Sequence, residues 1–141
     1  MLTYEEIYDI VRKEKYNEQL QLLPKNFVSE VSGFLQEKKA EASKEGDFFA
    51  DNISKAKKQL ENAIALFKEL MLRRKKKLLN LVFVAAETGI MKRDFENMLE
   101  FEKEIFEKLV KAVEDGDKEL ARLLNGNKKE HELKKQVTGY K

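Results

Sequence analysis

A long stretch without helix-breaking residues constrains the fold of this chain more than any other feature. Residues 51–86 contain no proline and no glycine, and apolar side chains recur there at steps of three and four. That spacing puts them on one face of an α-helix; they are Leu60, Ile64, Phe67, Met71, Leu78, Leu81 and Ala85. The sequence therefore predicts a helix of roughly 50 Å, at about 1.5 Å per residue, that ends near Gly89 and extends along the whole domain.

One position on this apolar stripe carries a charge. Arg74 lies where the pattern calls for an apolar side chain. A charge on an apolar seam costs free energy unless it is paired. We therefore expect Arg74 to have a carboxylate or carbonyl partner. Glu102 falls close to the apolar stripe of a later segment, so we predict a structural ion pair between Arg74 and Glu102.

The composition favours amphipathic helices with solvated outer faces. Of 141 residues, 42% are apolar, which is enough for one domain with a core, and 38% are charged, which is above the usual quarter. Basic and acidic residues nearly balance, at 28 and 26, so a globally basic nucleic-acid binder is not indicated. The absence of cysteine excludes disulfides, thiolate metal sites and cysteine nucleophiles. Without a signal peptide or a membrane-length apolar run, we expect a soluble, cytoplasmic protein.

The remaining segments predict further helices around the long one. A short helix is expected from Thr3, as its cap, to about residue 15, and a second follows Pro24 and ends in a charged run at residues 36–44. Gly46 marks a break, and the sequence leaves open which residue caps the long helix. The candidates for that cap are Asp47, Asp51 and Asn52.

After the long helix, the pattern predicts a connector, another helix and a tail. The connector covers residues 90–94, and helical spacing resumes from residue 95 to residue 113. We expect a turn at residues 115–117, because it reads Asp-Gly-Asp, and one or two further helical turns at residues 118–124. The fold class is therefore all-α, a bundle of about four to five helices around one long central helix. Residues 1–124 form the domain, and residues 125–141 form a polar, basic linker or tail.

This chain has few candidate catalytic or metal-binding residues. The single histidine, His131, lies in the polar tail, whereas structural zinc requires four ligands and di-metal bundles require Glu-x-x-His pairs. No Gly-rich phosphate loop or Ser/His/Asp set is recognisable. We expect a protein that is not an enzyme and that uses no cofactor and no metal.

Five consecutive basic residues occur within the long predicted helix, at residues 73–77. Consecutive helical residues point in all directions at about 100° each, so they form a collar and not a single face. Pairing with acidic neighbours is the simpler interpretation. The alternative is a helical nucleic-acid-binding module that uses this collar and the basic tail; its contact residues would be Arg73, Lys75, Lys76 and Lys77.

Three stretches taken together resemble the helical domain of GINS subunits, the helicase accessory complex of archaeal and eukaryotic DNA replication. The first pairs Tyr4-Glu5-Glu6-Ile7 with Leu20-Gln21-Leu22-Leu23-Pro24-Lys25-Asn26-Phe27-Val28. The second is the long helix with Arg74-Lys75-Lys76-Lys77-Leu78, and the third is Met98-Leu99-Glu100-Phe101-Glu102-Lys103-Glu104-Ile105-Phe106. The resemblance covers residues 2–124 and is closest to the archaeal subunit type that places its helical domain first.

That resemblance implies a non-catalytic scaffold subunit of a replication complex, which would be nucleoid-associated. GINS subunits assemble into oligomers of one or two kinds of subunit, and they link the minichromosome maintenance helicase to a RecJ-like protein. The archaeal type carries a β-rich second domain, for which the roughly fifteen residues after Asn127 are too few, so that domain is absent from this sequence, either because the sequence is truncated or because the protein lacks the domain. Apolar side chains outside the bundle core would form the subunit interface; the candidates are Tyr4, Ile7, Tyr8, Leu79, Val82 and Phe83.

Overall fold

The computed structural model describes residues 2–44, 46 and 50–126, and this part of the chain contains helices and no strand. The predicted all-α class is confirmed. Five helices follow one another within these described residues, and the third is the long helix that the sequence predicts. They are α1 (Tyr4–Tyr16), α2 (Phe27–Ala42), α3 (Ala50–Thr88), α4 (Lys92–Glu96) and α5 (Glu100–Asn125).

The long helix α3 is the common packing partner of the other long elements. Helices α1, α2 and α5 each pack against α3, and each of them contacts α3 far more than it contacts the others. With 39 residues, α3 is about 58 Å long at about 1.5 Å per residue. None of the helices in the described part of the chain is long and apolar enough to cross a membrane.

The helix ends follow the local chemistry of the sequence. Thr3 caps α1, because its Oγ1 accepts a hydrogen bond of 3.2 Å from the backbone N–H of Glu6. Gly89, at φ +83°, ends α3 and donates its N–H to the carbonyl of Ala85 at 3.1 Å. Asp51 and Asn52 lie inside the first turn of α3 and do not cap it, and Asp47 lies outside the described residues.

Two predictions about the C-terminal half were wrong. The connector at residues 90–94 contains the start of the short helix α4, and residues 115–117 are not a turn but part of α5. Glycine and aspartate cost only about 0.5–1 kcal/mol relative to alanine inside a helix, so turns on either side of Gly116 continue through it. The helix ends ten residues later at Gly126, which has the left-handed φ of +60°.

The buried face of α3 matches the predicted stripe only in part, and two of its six buried residues in the described part of the chain are alanines. Of the predicted stripe, Leu78 is buried and the others are half-buried. The buried residues of α3 are Ala56, Ala63, Leu70, Arg74, Leu78 and Val82.

The apolar core divides into two clusters along α3. The first cluster joins α1 and α2 to α3 and includes Ile7, Phe27 and Leu70. The second joins α5 to the C-terminal half of α3 and includes Leu78 and Phe106. Arg74 lies between Leu70 and Leu78, one helical turn from each, so a buried charge separates the two clusters.

Candidate functional site

Arg74 is fully buried and uses every hydrogen-bond donor that its side chain has. A guanidinium carries five N–H donors. Nε and Nη2 donate to Oε2 and Oε1 of Glu102 at 3.0 and 2.7 Å, and Nη1 donates to Oε1 of Glu14 at 2.8 Å. The carbonyls of Gln21 and Asn97 accept the other two bonds, at 2.8 and 3.1 Å. The charge is therefore buried without an unsatisfied donor.

Glu14 and Lys77 complete a buried network with no net charge. The Nζ of Lys77 lies 2.6 Å from Oε2 of Glu14 and also donates to the carbonyls of Glu14 and Gln19. Two cations thus face two carboxylates, and both carboxylates are almost completely buried. We call Glu14, Arg74, Lys77 and Glu102 the ionic network.

The ionic network holds two connecting segments against α3. Gln21 donates its backbone N–H to Glu14 at 3.2 Å and its side-chain amide to the carbonyl of Ile10 at 3.0 Å. The side chain of Asn97 donates to the carbonyl of Leu20 at 2.9 Å. The segment after α1 and the segment before α5 are therefore fixed to each other and to Arg74.

Burial and pairing act in opposite directions on the charged groups of the network. Burial alone would raise the pKa of Glu14, but the hydrogen bonds from Lys77 and Arg74 outweigh it, so the pKa lies below its ordinary value. Burial would likewise lower the pKa of Arg74, and the two carboxylates, Glu102 first, raise it above the ordinary value. Glu14 and Arg74 therefore stay charged at neutral pH.

The predicted pair of Arg74 and Glu102 is present, and a third partner was missed. Glu14 is 1% exposed and was not expected on the buried face of α1. A signal for it exists in the sequence: Ile7, Val11 and Glu14 follow one another at steps of four and three, so Glu14 occupies an apolar position. A charge on the stripe of α1 and an opposite charge on the stripe of α3 together indicate a buried pair.

The basic residues at 73–77 do not act as one surface. Arg74 and Lys77 belong to the ionic network, and Arg73 pairs with Glu69 on its own helix at 3.0 Å. The expectation that Lys77 is available for nucleic acid is wrong, because its side chain is only 16% exposed. Lys75 and Lys76 are exposed and remain available.

The predicted interface residues divide between the core and the surface. Ile7 and Val82 are 0% and 2% exposed, so placing them at an interface was wrong. Ile7 packs in the first cluster, and Val82 follows Leu78 by one turn on the buried face of α3. Tyr4 is half-buried against the first cluster, whereas the last three candidates are exposed; they are Tyr8, Leu79 and Phe83.

An apolar groove of about 500 Å³ opens between α2, α3 and α5. Val28 of α2 lines the groove, and the α3 side includes Met71 and Leu79. Phe101 and Ile105 of α5 form the other wall, and they are 46% and 47% exposed. Lys75 lies on the rim, and Glu102 is held by Arg74 beneath it. Contiguous exposed apolar surface of this kind marks a binding site.

Metal chemistry is not indicated by the placement of the acidic side chains. Across residues 2–44, 46 and 50–126, no three His, Cys, Asp or Glu side chains are grouped so that they could hold a metal ion. His131 lies outside the described residues.

The chain matches no family model, no curated protein and no solved structure.

Proposed function

We propose that this chain is a non-catalytic scaffold subunit of a GINS-like DNA replication complex, which links the replicative helicase to its partners. The residues that carry the resemblance meet in one place. Arg74 and Lys77 from the long helix, Glu102 from the later helix and the segment around Gln21 form the ionic network and its hydrogen bonds. The motif spacing therefore corresponds to a set of contacts that holds the bundle together, which supports the proposal.

The apolar groove carries the scaffold role. A scaffold must present a fixed surface to other chains, and the ionic network fixes the helices on both sides of the groove, because Glu102 belongs to the network and lines the groove. Leu79 and Phe83, which are 41% and 62% exposed, continue this apolar surface along α3. We propose that other GINS subunits bury this surface, and that the assembly contacts the minichromosome maintenance helicase and a RecJ-like protein.

Nucleic-acid binding has less support as a second function. Arg74 and Lys77 are engaged inside the bundle, and Arg73 pairs with Glu69. Lys75 and Lys76 alone remain exposed in the basic run. Two adjacent lysines on a helix offer few phosphate contacts. Binding to other subunits accounts for the exposed apolar groove, which nucleic-acid binding leaves unexplained.

Binding to the helicase tests the proposal directly. The purified chain should form a complex with the minichromosome maintenance helicase or the RecJ-like protein of the same organism, measured by biolayer interferometry. Leu79→Glu should weaken complex formation with sister subunits at least tenfold, whereas Leu22→Glu, a matched change at a 68% exposed leucine away from the groove, should not. Absence of binding to both proteins at tens of micromolar would overturn the proposal.

A further inference from the structure

We draw no further inference here: the strongest candidate, the apolar groove between α2, α3 and α5 together with the exposed leucines at the end of α5, carries none, because nothing in the structure shows what covers it.

Discussion

The carboxylate of Glu102 accepts two parallel hydrogen bonds from Arg74, at 3.0 and 2.7 Å, and its Oε1 also accepts the backbone N–H of Leu99 at 2.8 Å. One side chain therefore satisfies an open donor at the start of α5 and holds the buried cation of α3. This arrangement sets where α5 begins relative to the long helix. The same contact between Glu102 and Arg74 fixes the start of α5, which forms one wall of the apolar groove.

Removal of the guanidinium should destabilise the fold strongly. Arg74→Met leaves Glu14 and Glu102 buried without their common partner, and breaking a buried ion pair costs about 3–5 kcal/mol. Urea unfolding followed by circular dichroism measures the change. Arg73→Met, at the neighbouring partly exposed pair with Glu69, should cost less than about 1 kcal/mol. Equal losses in the two variants would show that Arg74 has no special structural role.

Lysine cannot replace Arg74. Arg74→Lys keeps the charge, but an ammonium has three donors in place of the five that Arg74 uses. The variant should lie between the natural chain and Arg74→Met in its urea midpoint. A natural-like midpoint would mean that charge alone, and not the forked geometry, stabilises the site.

The stability of the fold should depend on acid pH through Glu14. The pKa of Glu14 is lowered in the folded chain, so the unfolded chain binds a proton at higher pH. The contribution of the Glu14 carboxylate to the free energy of unfolding is complete above the ordinary glutamate pKa of about 4.3. It is lost as the pH falls through the lowered pKa that Glu14 has in the folded chain. Glu14→Gln should cost about 2 kcal/mol at pH 7, as expected for charged hydrogen bonds, and should flatten the dependence below about pH 5.

Asp9→Asn is the control for this pH dependence. The pKa of Asp9 is also lowered, first by its hydrogen bond to Arg12, but the group is exposed. Screening by water makes its contribution small. Urea midpoints measured from pH 3 to pH 7 should therefore show the natural slope in Asp9→Asn. A natural slope in Glu14→Gln would contradict the assignment.

Gly33 inside α2 and Gly89 just after the end of α3 should respond in opposite directions to substitution. Gly33 lies inside α2, and an added Cβ meets nothing within 4 Å, so Gly33→Ala should stabilise the chain by about 0.5–1 kcal/mol. Gly89 has φ +83°, and Gly89→Ala should destabilise it by about 1 kcal/mol. Thermal melts compare the pair, and a gain at Gly89 would contradict the left-handed helix end.

The basic run should contribute little to DNA binding. Lys75→Ala combined with Lys76→Ala removes its two exposed cations. Arg74 and Lys77 are held inside the bundle, and Arg73 pairs with Glu69 on its own helix. The two lysines are therefore the main phosphate contacts that the run can offer, and two contacts are few, so retention of single-stranded DNA in a low-salt gel shift should change less than twofold. A loss of tenfold or more, with a shallower salt dependence, would instead support the nucleic-acid-binding alternative.

The local spacing of residue types along the sequence determined many of the secondary-structure features of this protein. The helical periods, the Thr3 cap, the glycine end at Gly89 and the misplaced charge at Arg74 all follow from neighbours within a few residues. Such features depend on backbone sterics and short-range hydrogen bonds, which the sequence specifies directly. The pairing with Glu102 was predictable for the same reason, because both residues interrupt apolar stripes.

Only the tertiary structure decided which faces are covered. Glu14 completes the network because α1 packs on α3 near Arg74, 60 residues away in sequence, and Val82 is buried because α5 covers that side. Burial depends on how several helices share one partner, and a single amphipathic pattern does not specify that arrangement.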